Sequence, residues 1–212
     1  RQIKRKGDPV GGWLKLFKPV EMTSTQAVAI LKRLYNADKV GHGGTLDPLA
    51  DGILPIAFGE ATKTVQWAMD SEKEYVFTIQ WGVSTASQDA EGEVTSTSDT
   101  RPTREAVEAV LANYLGQIEQ VPPKFSAIAD HTVIHVTSGK GFYVRAMARD
   151  VAFDLGCDGH ISQLRRTRVG TFGAADAIAI SALQDMTDKA DLLAALKPVQ
   201  SVLAGIPDLA VS

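Results

Sequence analysis

A histidine and an aspartate share one glycine-rich stretch, KVGHGGTLDPLADG at residues 39–52. Four glycines and a proline punctuate it, and no helix or strand period survives from Gly41 to Pro48, which predicts a tight, shaped loop. His42 and Asp47 lie inside that loop, and Leu46 beside the carboxylate implies an apolar wall. A carboxylate held in a cleft by a rigid loop can act as nucleophile or base. The plainer reading of the same residues is a glycine-rich connection in which an Asp-Pro pair initiates a turn.

Arg145 is the second candidate. It falls at the start of a helix that the pattern predicts from Val144, where the macrodipole disfavours a cation, so an anionic side chain or ligand is expected beside it. If that anion were Asp47, a bidentate pair would keep the carboxylate ionised and fix its rotamer; a solvated surface arginine fits the spacing equally. Arg165, Arg166 and Arg168 form the densest basic cluster, readable as a solvated face or as a phosphate contact. The four histidines, His42, His131, His135 and His160, lack zinc-motif spacing, so no metal is expected. P-loop, GxGxxG and GxSxG motifs are absent. Cys157, the one cysteine, excludes an internal disulfide framework, reads as a structural thiol and points to a reducing, cytoplasmic setting.

The 212 residues suffice for one large domain or two small ones, with 44% hydrophobic and 22% charged residues as in ordinary globular chains. No apolar run is long enough to span a bilayer. The net charge of −3 excludes a uniformly basic coat but leaves room for a local basic groove. Arg1 to Lys6 reads as a short basic tail.

The elements that must position these residues follow from periodicity. Gly12 to Lys18 reads as a strand. Thr23 or Ser24 can cap a helix reaching about Tyr35. Ile53 to Phe58 reads as a buried strand and Glu60 to Met69 as a short helix. Tyr75 to Trp81 alternates as a strand, with Tyr75, Phe77, Ile79 and Trp81 on one side. A polar loop, Thr85 to Gly92, precedes a strand and turn over Glu93 to Asp99. Helices are predicted over Thr103 to Leu115 and Val144 to Leu155, each stopped by a glycine. Gln117 to Val121, Thr132 to Thr137 and His160 to Val169 read as extended, and Ile178 to Val202 as mostly helical with a break at Pro198. Without a regular βαβ rhythm, the fold class is α+β around a mixed, largely antiparallel sheet.

Several separated motifs occur together in one order: Lys18-Pro19 with Thr23-Ser24, the loop from Gly41 to Ala50, Gly59-Glu60-Ala61-Thr62-Lys63, Tyr75, Val121-Pro122-Pro123, the run Lys140 to Arg145, and Leu164 to Gly170. In these the chain resembles the bacterial TruB family of tRNA pseudouridine synthases, from about Gly12 to Asp208. The resemblance implies the pseudouridine-synthase fold, a sheet flanked by helices with a central active-site cleft, and isomerisation of uridine 55 in the tRNA T loop. It implies no cofactor and no metal, tRNA as partner, no membrane, and a monomer. By it, Asp47 matches the catalytic aspartate, Tyr75 the tyrosine that stacks on the base and serves proton removal, and Arg145 the arginine paired with the aspartate. His42 matches the histidine that fills the space of the flipped base. Tyr143 and Leu164 match uridine-pocket residues and Lys18 a lysine near the site. Arg165, Arg166 and Arg168 are then expected to contact phosphates.

Three departures qualify the match. Gly43 stands where a threonine or other small side chain is usual, which is expected to loosen the loop. Ala86 stands where an aspartate is frequent, putting a polar contact in doubt. Ile128 runs almost directly into Asp130 where the family carries an RNA-gripping insertion and a further strand, so a segment of several tens of residues is expected to be missing there. The family's C-terminal RNA-binding module also has no visible counterpart in what is expected to be one catalytic domain. Two other functions stay open: a tRNA-folding chaperone without chemistry, and an RNA-guided synthase of archaeal or eukaryotic type. The carboxylate, tyrosine and arginine together argue against the first, and activity on naked tRNA separates the second.

Overall fold

The computed structural model describes residues 7–114, 127–128 and 130–204, in two compact units: residues 7–71 with 167–204, and residues 72–166. Arg1 to Lys6, Gln117 to Val121 and the Val121-Pro122-Pro123 motif lie outside the described residues.

The first unit opens with β1 (Gly12–Lys18), the amphipathic helix α1 (Ser24–Leu34), β2 (Val40–His42), β3 (Asp51–Phe58), a 3-10 turn (Gly59–Thr64) and α2 (Val65–Asp70). β3 pairs antiparallel with β1 from Gly12↔Phe58 to Lys18↔Gly52. β2 also lies antiparallel on β3, with His42 opposite Ile56. The glycine-rich stretch therefore starts as a strand, which the absence of a two-residue period hid: a three-residue strand is too short to show one. The predicted helix over Glu60 to Met69 is split in the same way between 3-10 and α geometry.

The second unit contains β4 (Lys73–Trp81), β5 (Val83–Thr85), β6 (Val94–Thr97), α3 (Arg104–Ala112), β7 (Ala127–Ile128), β8 (His131–Ser138), α4 (Val144–Asp154) and most of β9 (Gly159–Val169). Its strand order is β9-β4-β8-β7, with β5 and β6 as a separate pair. β4 and β8 run antiparallel from Lys73↔Ser138 to Gln80↔His131. β7 pairs antiparallel with β8, placing Ile128 opposite His131 where a missing segment was expected. The Asp130 carbonyl there accepts from the Trp81 N–H and Gln80 Nε2, and its carboxylate from Arg101 Nε at 3.1 Å. Phe77, Ile79 and Trp81 alternate inward on β4, while α4 buries Val144, Met147, Ala148, Val151 and Ala152 on one stripe, as the 3.6-residue period demands.

β9 carries the chain back into the first unit, followed by β10 (Phe172–Gly173), β11 (Ile178–Ala179), α5 (Ile180–Asp185) and α6 (Lys189–Ala194). β11 is parallel to β1, whereas β3 is antiparallel to both β1 and β2, so the arrangement is mixed. The mostly helical stretch expected over Ile178 to Val202 is thus two short α-helices and, after the expected break at Pro198, a 3-10 turn (Val199–Leu203). A further break precedes α6, which Asp188 caps by accepting from the Ala190 N–H. Trp13, Ile53, Ala57, Ala61, Ala68, Val169 and Phe172 form one buried cluster of the first unit, with the Trp13 and Phe172 ring centroids 5.3 Å apart. Among the described residues, no helix is long and apolar enough to cross a membrane.

Candidate active site

In the first unit the site is built on the segment between β2 and β3. Thr23 caps α1 in a reciprocal box with Gln26, which leaves Ser24 for another task. The buried Ser24 hydroxyl accepts from the Leu46 N–H at 2.9 Å and donates to the Leu46 carbonyl at 3.0 Å. Both backbone groups before Asp47 are therefore fixed by one side chain. Leu46 itself is buried, as its position beside the carboxylate implied. Asp47 starts a turn with Pro48 at its second position, closed by Ala50 N–H to the Asp47 carbonyl at 3.1 Å. Its side chain is half-buried. Gly44 has φ +118°, a left-handed conformation that glycine adopts without a Cβ penalty.

Gly43 does not loosen the loop. It is buried, its N–H donates to the Pro55 carbonyl at 2.8 Å, and Ala68, Pro55 and Trp13 occupy the space a side chain would take. His42 is half-buried at the end of β2. Lys18 is fully buried and its Nζ donates to the Pro19 and Met22 carbonyls at 2.8 and 2.7 Å, stabilising the bend that leads into α1.

The second unit holds Tyr75, Tyr143, Arg145 and Leu164. Tyr75 lies on β4 opposite Val136, half-buried, and Leu164 is buried on β9. Tyr143 precedes the first turn of α4 and is 76% exposed, so its ring is available to a ligand. Arg145 has the anionic neighbour that the dipole argument requires, and within this unit it is Asp89: Nη1 to Oδ2 is 3.2 Å. Asp89 is only 4% exposed. Its Oδ1 accepts from Ser87 Oγ and from the Glu91 N–H, and its main-chain carbonyl from Thr85 Oγ1. A backbone bridge to Ile161 ties it to β9. Sequence reasoning treated Thr85 to Gly92 as a polar loop and passed over Asp89. The signal was there, since Thr85, Ser87 and Gly92 around one aspartate are the residues of a self-bonded turn.

The three arginines of β9 do not form one patch. Strand alternation exposes Arg165 and buries Arg166 to 2% exposure, while Arg168 is half-buried with Nη1 donating to the Gly170 carbonyl at 3.1 Å. Arg166 is therefore withdrawn from the expected phosphate-facing set. Among the described residues no cluster of His, Cys, Asp or Glu could hold a metal ion.

The family model for the TruB family pseudouridylate synthase N-terminal domain matches residues 32–153, and that for the tRNA pseudouridylate synthase B C-terminal domain matches residues 145–204. A protein of Caulobacter vibrioides named tRNA pseudouridine synthase B is 48% identical over 245 residues, covering 99% of this chain and 79% of its own length. A protein of the same name from Bradyrhizobium diazoefficiens is 46% identical over 252 residues, covering 100% and 73%. The chain therefore belongs to the TruB family of pseudouridylate synthases. Both alignments are longer than the 212 residues of this chain, so each relative carries residues within the matched span that have no counterpart here. Among solved structures, the archaeal box H/ACA sRNP Nop10–Cbf5 complex matches at TM-score 0.76 and 26% identity, and a Cbf5–Nop10–Gar1 complex at 0.73 and 26%. These matches cover 94% and 90% of this chain, which spans 63% and 61% of the chains it matches.

Proposed function

We propose that this protein isomerises uridine to pseudouridine in the T loop of tRNA, with Asp47 as the catalytic carboxylate. The observation that carries the reading is the immobilised approach to Asp47: Ser24 holds both backbone groups of Leu46, and the following turn closes on the Asp47 carbonyl. Membership of the TruB family and the names of its relatives supply the reaction class.

The chemistry needs few groups. The target base leaves the stack before C1′ and C5 can be reached. Asp47 assists cleavage of the C1′–N1 bond, either by attacking C1′ or by acting as base at the sugar. The freed uracil turns, C5 bonds to C1′, N1 takes up a proton, and a base removes the proton from C5, so the reaction is a net isomerisation. Tyr75 stacks on the base and serves the last proton transfer, His42 occupies the space the base vacates, and Tyr143 and Leu164 line the uridine. Arg145 is the arginine that the family pairs with its catalytic aspartate, and within the second unit Asp89 holds it in place. Lys18 acts at a distance through the bend it braces, and the exposed Arg165 with Arg168 meets the RNA backbone.

Tritium release from C5-labelled uridine in a T-loop stem-loop tests the reading: turnover by the purified protein alone supports it. No release above background from either the stem-loop or full-length tRNA would overturn it. Release only when a guide RNA is added would move the chain to the RNA-guided class.

A further inference from the structure

The glycine-rich segment contains two glycines with different reasons to be glycine. Gly44 is required by its backbone conformation, φ +118°. Gly43 is outside the left-handed region, so any residue could adopt its backbone. What excludes a side chain there is Ala68 of α2. A Cβ added at Gly43 would lie 2.7 Å from the Ala68 Cβ, 3.3 Å from the Pro55 Cβ and 3.4 Å from Trp13 Cζ3. Optimal carbon–carbon contact is about 3.5–4.0 Å, so the first of these is a hard overlap.

Neither side of the contact can yield easily. Gly43 is tied to β3 through the Pro55 carbonyl. On the other side, Ala68 is 1% exposed within the Trp13 cluster, and its carbonyl accepts from Ser71 Oγ at 2.7 Å. Ser71 in turn lies where a Cβ on Gly170 would strike it at 2.8 Å. The flanking residues Trp67 and Met69 are exposed, so α2 meets the loop through the Ala68 methyl group. The loop is thus held at two points, Gly43 against Ala68 and Leu46 against Ser24, with Asp47 immediately beyond the second.

We propose that Gly43 and Ala68 are a size-matched positioning pair that sets the location of Asp47. Neither touches the substrate; they act by fixing where the loop starts. The proposal rests on the reading of Asp47 as the catalytic carboxylate. A shift at Gly43 moves the segment about its Leu46 anchor, and a misplacement near 1 Å at a reacting group can cost about 10²-fold in rate.

The test compares Gly43→Ala, Ala68→Gly and the double variant by tritium release, stem-loop binding and thermal melting. Gly43→Ala is expected to lower kcat by about 10- to 100-fold with KM within about threefold. Adding Ala68→Gly makes room for the new methyl and restores most of kcat. Gly44→Ala is the control: its defect is backbone strain, so Ala68→Gly does not repair it. Full activity of Gly43→Ala, or a double variant as slow as the single one, would overturn the pairing. If Gly43→Ala fails to fold, Ala68→Val pushes on the same contact from α2. A folded, slow Ala68→Val supports the proposal, and a folded, fast one or an unfolded one overturns it. Wild-type protein inactive on every substrate would reject the Asp47 reading itself, an outcome distinct from all of these.

Discussion

Asp47 sits half-buried on a proline turn in the first unit, and the contacts around it fix the backbone: Ser24 on Leu46, Pro55 and Ala68 on Gly43. Asp89 sits buried in the second unit, and the contacts around it fix the side chain: Ser87 and the Glu91 N–H on one oxygen, Arg145 on the other. A carboxylate that must meet a substrate needs its place along the chain set, and backbone anchoring of its neighbours does that for Asp47. A carboxylate that must orient a cation can have both oxygens committed. The two aspartates therefore differ in what their removal should disturb.

The largest effect should come from Asp47→Asn, which keeps the shape and removes the charge. Isomerisation should fall by at least about 10³-fold, while stem-loop affinity stays within a few-fold. Melting should fall less than for loss of the buried Asp89, because Asp47 is only half-buried. Turnover near the wild-type rate would remove the distinction between the two carboxylates.

Asp89→Ala should instead lower both stability and activity. It strips the Arg145 partner and leaves the Glu91 N–H and Ser87 hydroxyl without their acceptor. Arg145 is 42% exposed, so solvent screening holds the cost to about 1–3 kcal/mol. For a chain of this size that is a melting drop of roughly 2–4 °C per kcal/mol. An Asp89→Ala protein as stable as Asp47→Asn would show that the buried pair contributes nothing to the fold.

Ser24→Ala sharpens the first half of the comparison. It leaves the Leu46 N–H buried without an acceptor, at about 1–3 kcal/mol, while the Thr23–Gln26 cap on α1 stays intact. The expected signature is a fall in kcat with α1 helicity by circular dichroism unchanged. Loss of helix signal would mean that Ser24 serves the cap and not the loop.

The first unit's aspartate was legible in the sequence because its constraints are local in the chain: glycines, a proline and an apolar neighbour within a dozen residues. α1, β4 and α4 were equally legible, since each repeats its period over two turns or more, or along a long strand. Asp89 was not legible, because what identifies it is burial and a partner 56 residues away. Arg166 misled for the related reason that a run of charges looks exposed until strand alternation turns alternate members inward. Gly43 looked like a defect because what fills its side-chain space, Ala68, lies far along the chain on α2, and a predicted helix does not say which loop it packs on.

The smallest effect contrasts tyrosines of the two units under alkaline conditions. Tyr35 in the first unit is 3% exposed and donates to the Leu192 carbonyl at 2.9 Å; burial pushes its hydroxyl up from 10.0 to about 12. Tyr114 in the second unit also rises to about 12, first through burial and then through its hydrogen bond to Asp154, but on a half-buried and better-solvated position. A raised folded-state value means that folding favours the neutral phenol. The associated stability is complete below about pH 10 and is lost as pH climbs towards 12, because the unfolded chain ionises first. Tyr35→Phe should therefore be less stable than wild type at pH 8, by about 1 kcal/mol for the missing hydrogen bond. That gap should narrow and then reverse as pH rises through 10 towards 12, since the phenylalanine variant has no phenol to ionise there. Tyr114→Phe should show the same trend with a smaller amplitude, because solvent screens its partner. Urea midpoints across that pH range measure both, and a Tyr35 gap that stays constant with pH would show that the buried phenol does not set the alkaline limit of the first unit.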